Sequence, residues 1–170
     1  MHLIEPCCTQ KHIARLRKAL GEDGTDFFHG YGDLSLTEIL PVILMHYSGK
    51  ADLLLVVPAL PDTVTELLAT WMRKQWPKID GSGKVYVIGH LMLIADLREN
   101  KSPLASAWAK ENPFPDRLTL RNVQQNDTAI LLPDIALCGP INLTYGGHFA
   151  AMATKNARTI ATLREMYEKL

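Results

Sequence analysis

Residues 52–57, Asp-Leu-Leu-Leu-Val-Val, form a continuous apolar run behind one carboxylate and end at Pro58. A short run without polar alternation predicts a strand buried on both faces. Just beyond it Val64, Leu67, Leu68, Trp71 and Met72 recur at i, i+3, i+4, i+7 and i+8. That is one face of an amphipathic helix, with Asp62 as its expected cap. Upstream, Thr9 caps a helix predicted within residues 1–24, with Ile13, Leu16 and Leu20 on one face and Gly21 as its stop. Its basic face, Lys11, Arg15, Arg17 and Lys18, reads as solvated helix surface. Phe27-Phe28 is a short apolar stretch. Ser35-Leu-Thr-Glu38 is a capping box that opens a helix carrying Leu36, Ile39, Leu40, Ile43 and Leu44, with Pro41 as a kink or a shifted start.

Gly81-Ser-Gly83 marks a turn and Lys84 to Ile88 a further strand, while Leu91 to Leu97 fits a strand or a helical turn equally well. Ser102-Pro103 starts a helix with Leu104, Ala107 and Trp108 inward. From Arg117 the rhythm shortens to β segments at Leu118 to Val123, Thr128 to Leu132, Ile135 to Cys138 and His148 to Ala153. Pro133-Asp134 makes the middle pair a hairpin, both residues favouring turns. Lys155 to Leu170 closes the chain as a helix with Ile160, Leu163, Tyr167 and Leu170 along one stripe. The expected fold class is α/β, a mixed sheet covered by helices on both faces, within a single domain over residues 1–170.

At 47% hydrophobic residues the 170-residue chain can bury a core without staples. Lys plus Arg and Asp plus Glu number 18 each, so no long-range field draws nucleic acid or anionic lipid. The three cysteines, Cys7, Cys8 and Cys138, form no disulfide framework and have no CxxC or HxxxH companion. They read as ordinary thiols in a reducing compartment, and neither metal nor cofactor is expected. The N-terminus lacks a charged segment followed by an apolar signal stretch, and no run approaches the ~20 residues of a membrane helix. A cytoplasmic chain without membrane contact follows. Gly30-Tyr-Gly-Asp33 is too short for a dinucleotide loop, and no Gly-Lys-Ser/Thr occurs.

The segment from Asp127 to Thr144 resembles the core hairpin of the phospholipase D superfamily, whose signature is HxKxxxxDxxxxxxGSxN. Gly139-Pro140-Ile141-Asn142-Leu143-Thr144 matches its end, and Phe149 to Leu170 matches the strand and helix that follow it. Looser similarity extends over residues 25–170. Counted back from Asn142 without a gap, Gln125 stands in the family's histidine position and Asp127 in its lysine position. With the turn shortened by one residue, Asn126 and Thr128 stand there instead. Asp134, at the hairpin tip, is what remains of the family's aspartate, and Pro140 replaces its serine.

The resemblance implies a mechanism in which one histidine attacks phosphorus and a second acts as general acid, while lysine and asparagine hold the phosphate charge. Neither register supplies the histidine or the lysine. The implied function is a catalytically inactive phospholipase D-like domain retained for binding or assembly, with a protein partner or, against the charge balance, nucleic acid. The alternative is an atypical phosphodiesterase or nuclease that uses His148; His29, His46 and His90 are farther from the signature. No catalytic residue is assigned. The candidate pocket is Asn126, Thr128, Asp134, Asn142, Thr144 and His148. Family members with one signature pair two copies, so a homodimer is expected, with its interface near Gly139 to His148.

Overall fold

The computed structural model describes residues 14, 16–18, 24–31, 35–45, 50–73, 87–98, 101–141 and 148–170. Within them the strands β1 (Thr25–Tyr31), β2 (Lys50–Val57), β3 (Val87–Ala95), β4 (Leu118–Asn122), β5 (Ala129–Leu131), β6 (Ala136–Cys138) and β7 (His148–Thr154) build one seven-stranded sheet. Its order is β1-β7-β6-β5-β2-β3-β4. Strands β2, β3 and β4 run parallel, and every other pairing is antiparallel. The helices are α1 (Leu36–Met45), α2 (Asp62–Met72), α3 (Pro103–Lys110) and α4 (Ala157–Glu168).

Alternation along β2 explains why that run carries no polar period. Leu53, Leu55 and Val57 enter one core with α1, α2 and α3, while Leu54 and Val56 enter a second core with Ile160 and Tyr167 of α4. Both faces are therefore covered, as the mixed architecture requires. The β5–β6 hairpin forms with Ile130 opposite Leu137, both fully buried. Its turn closes through Leu132 N–H to the Ile135 carbonyl at 2.8 Å. The one described turn of the N-terminal helix carries Leu16, fully buried; Thr9, Ile13, Leu20 and Gly21 lie outside the described residues, as does the turn at Gly81 to Gly83.

Three local expectations are corrected. Asp62 does not cap its own helix: Pro61 precedes α2 in an extended conformation without a side-chain cap, and the Asp62 carboxylate accepts from Ser102 Oγ and from Leu104 N–H at 3.2 Å. It serves the N-terminus of α3, whose own cap Ser102 accepts from Ala105 N–H at 3.0 Å. On α3, Ala105 and Trp108 point inward while Leu104 and Ala107 face out. The phase is fixed by Trp108, whose ring meets Phe114 edge-on at 5.8 Å. The stretches around Ile88 and Leu91 form one strand, β3, with His90 inside it. The β2–β3 register shifts between Ala51 and Leu53, and Asp52 Oδ1 accepts the His90 N–H at 3.0 Å. Pro41 sits inside α1 without ending it, and Ser35 N–H donates to Glu38 Oε2 at 3.0 Å as the capping box requires.

Candidate functional site

The antiparallel pairing of β5 with β2 sets the geometry. Val56 stands opposite Ala129, so the open end of the β5–β6 hairpin lies at the C-terminal ends of the parallel strands. In open α/β sheets that edge is where ligands bind. Antiparallel pairing carries the same edge across the sheet, because Cys138 stands opposite Met152 and Tyr31 opposite His148. The C-terminus of β6, the N-terminus of β7 and the C-terminus of β1 therefore gather there.

At this edge the hairpin is held by its own backbone. Gly139 N–H donates to the Thr128 carbonyl at 3.0 Å, and Ala150 N–H to the Pro140 carbonyl at 3.1 Å. Gly139 has φ +139°, and a Cβ there would run into the Ala150 carbonyl oxygen. Only glycine permits β7 this close, which is a structural reason for the glycine that carries the resemblance. Thr128 is 1% exposed, and its hydroxyl donates to the Ile141 carbonyl at 3.4 Å.

Asn126 and Asp127 are exposed on the loop entering β5. The Asp127 carboxylate lies close enough to the Tyr167 hydroxyl of α4 for its charge to act on it. Burial, then the Asp127 charge, then Cys138 push that hydroxyl up to about 12. Burial and the same carboxylate raise the Cys138 thiol. Gln125 shields both amide atoms from solvent, and neither has a hydrogen-bond partner among the described residues.

The six candidate residues divide accordingly. Asn126, Thr128 and the backbone of His148 share the edge. Asp134 is exposed at the closed end of the hairpin, ~13 Å from Thr128 at the usual rise of a strand. A hairpin places its tip and its open end at opposite edges of the sheet, so Asp134 does not join the others. Asn142 and Thr144 lie outside the described residues. Tyr167 was read only as part of a core stripe, yet a buried tyrosine hydroxyl requires a polar partner. That requirement was the available signal. Two hollows open elsewhere, one of about 370 Å³ between α2 and α3 and one of about 380 Å³ between α3 and β4. Among the described residues no three His, Cys, Asp or Glu side chains converge to hold a metal ion. No helix among them is long and apolar enough to cross a membrane.

No family model and no curated protein matches the chain. Solved structures do. Polyphosphate kinase from Porphyromonas gingivalis superposes with a TM-score of 0.62 at 13% identity, over 98% of this chain and 29% of that one. Phosphatidylserine synthase from Haemophilus influenzae Rd KW20 gives 0.53 at 14% identity, over 85% and 37%. NucT from Helicobacter pylori gives 0.49 at 12% identity, over 85% and 94%. At such identities the likeness shows the fold alone: an α/β, phospholipase D-like arrangement with a mixed sheet between helices. This chain spans well under half of the first two proteins.

Proposed function

We propose that the chain is a catalytically inactive phospholipase D-like domain kept for binding or assembly, in which two copies associate and the further partner is a protein rather than nucleic acid. The observation that carries this reading is Asp127. In the ungapped register it occupies the position of the family's phosphate-binding lysine, and its charge bears on both Tyr167 and Cys138 at this edge. A fixed negative charge there repels a phosphodiester instead of holding it. In the other register Thr128 stands at that position, buried and engaged with the Ile141 carbonyl. Gln125 and Asn126 are amides, without the nucleophilicity for attack on phosphorus at neutral pH. The formal net charge of +0 agrees with a protein partner.

A second reading, an atypical phosphodiesterase or nuclease, rests on the position of His148 at the same edge, opposite Tyr31. Titration with inorganic phosphate, followed by backbone amide NMR, separates the two. Binding-only function predicts no saturable shifts at residues 125–128, Gly139 and Ile141. Saturable shifts confined to those amides would instead support the second reading.

A further inference from the structure

We propose that the outer edge of β4 takes up an extended segment of another protein as an added strand, with an acidic side chain of that segment seated in the hollow between α3 and β4. This rests on the binding reading above and names the surface and the chemistry of the partner. Strand β4 ends the sheet, with β3 as its neighbour. Leu91 N–H donates to the Arg117 carbonyl at 2.7 Å and Val123 N–H to the Ala95 carbonyl at 3.0 Å, so the odd-numbered residues of this stretch bond toward β3. The peptide groups of Leu118, Leu120 and Asn122 therefore point away from the sheet. Those of Leu118 are engaged: its N–H donates to the Phe114 carbonyl at 2.8 Å, and its carbonyl accepts from Asn112 Nδ2 at 2.7 Å. Among the described residues, the backbone N–H and C=O of Leu120 and of Asn122 have no hydrogen-bond partner. The chain blunts the first part of this edge and leaves the rest open.

The open part borders the hollow of about 380 Å³, lined by Leu97, Trp108, Lys110, Asn112, Leu120 and Asn122 among others. Leu118 belongs to the core that contains Trp108, and Leu120 packs against it, so the even-numbered side chains of β4 share the hollow's face. An antiparallel segment sets one residue directly opposite Leu120, where it exchanges both hydrogen bonds and projects its side chain on that same face, into the hollow. Trp108, 8% exposed, supplies an apolar wall with Leu97 and Leu120. The polar groups left over are donors. Asn122 Oδ1 accepts from Leu97 N–H at 2.9 Å, which leaves its Nδ2 without a partner, and the exposed Lys110 forms no ion pair among the described residues. A cation and a donor beside an apolar wall select an aliphatic stem with a carboxylate head, as glutamate has. The sequence of β4 itself, Leu-Thr-Leu-Arg-Asn, carries no carboxylate, so a second copy paired through this strand does not meet the requirement. The backbone edge holds an extended peptide by its main chain, and the hollow sets the preference at one position.

Amide hydrogen exchange on the full chain tests this with a defined probe, the capped peptide Thr-Val-Thr-Glu-Thr-Val-Thr. In the free chain the Leu120 and Asn122 amides should exchange fast and those of Thr119 and Arg121 slowly. The peptide should slow Leu120 and Asn122 at least about tenfold. The same peptide N-methylated at its glutamate cannot donate to the Leu120 carbonyl and should give no protection. Lys110→Glu should weaken binding of the glutamate peptide about fivefold and favour the peptide with lysine in its place. Leu120→Pro removes an N–H that faces away from β3, which an edge strand tolerates, and should abolish binding. If that variant unfolds, the N-methylated peptide carries the same test. Slow exchange at Leu120 and Asn122 in the free chain would mean that the edge is already covered, by a second copy where the protection rises with protein concentration, and would overturn the proposal. Absence of protection at millimolar peptide, or equal protection by the N-methylated form, would overturn it too. Equal affinity for the glutamate and lysine peptides would overturn the acidic preference. None of these results bears on the lost chemistry, which the phosphate titration decides separately.

Discussion

The charge of the Asp127 carboxylate, on the loop that enters β5, bears on the Tyr167 hydroxyl in the last turn of α4. The exposed Asp127 carboxylate sets a negative charge at the open end of the β5–β6 hairpin. α4 is amphipathic, and Ile160 and Tyr167 are its buried residues. Tyr167 is 4% exposed and packs with Leu54, Val56 and Ile160.

This influence has a pH signature. An unfolded tyrosine ionises near ~10, whereas burial and the Asp127 charge push Tyr167 up to about 12. A folded-state value above the unfolded one means that this contribution to stability is complete below about pH 10 and fades as pH rises toward 12. Ultraviolet titration of the five tyrosines should show one late component that Tyr167→Phe removes. Titration of all five together near 10 would contradict it.

Tyr167→Phe keeps the ring packing and removes the hydroxyl on which the Asp127 charge acts. The expected change is at most about 1 kcal/mol, because Asp127 is exposed to water. Urea denaturation measures it, and an Asp127→Asn/Tyr167→Phe cycle should show the two changes to be non-additive.

Two glycines with positive φ separate backbone strain from crowding. At Gly24, φ +123°, a Cβ meets nothing within 4 Å, so Gly24→Ala should cost about 1 kcal/mol from the backbone alone. At Gly139 the Ala150 carbonyl adds a clash, and Gly139→Ala should cost about 3 kcal/mol and loosen β7 from β6. Equal midpoints for the two variants in thermal denaturation would contradict the close approach.

Asp62→Ala should destabilise by about 1–2 kcal/mol through α3 rather than through its own helix. The reporters are amide shifts at Leu104 and Ala105, where the Asp62 and Ser102 acceptors lie. Changes confined to the first turn of α2 would restore the simpler capping role.

The hairpin, α2 and α4 were legible because each is specified within its own residues: apolar runs around Pro133-Asp134, and stripes that repeat every three or four positions. What stayed hidden depends on partners distant in the chain. Asp62 sits at the right place to cap α2, and nothing local reveals that Ser102 and Leu104 claim its carboxylate. The predicted segments leave His90 in the gap between Ile88 and Leu91, because the irregularity it occupies is held from Asp52 on β2. On α3, eight residues are too few for the period to choose between Leu104 and Ala105 before Trp108 finds Phe114. Asn126 and Thr128, chosen from the signature spacing, lie at the open end of the hairpin, where Thr128 is buried. Asp134 was not separable from them in sequence, since only strand pairing shows that a hairpin's tip points away from its ends.

Turnover of bis(p-nitrophenyl) phosphate tests most directly whether this edge has lost its chemistry. Purified protein at neutral pH, with and without added divalent metal, is expected to release p-nitrophenol no faster than buffer, and His148→Ala to behave identically. Hydrolysis above background that disappears in His148→Ala would contradict an inactive domain and identify His148 as the residue doing the work.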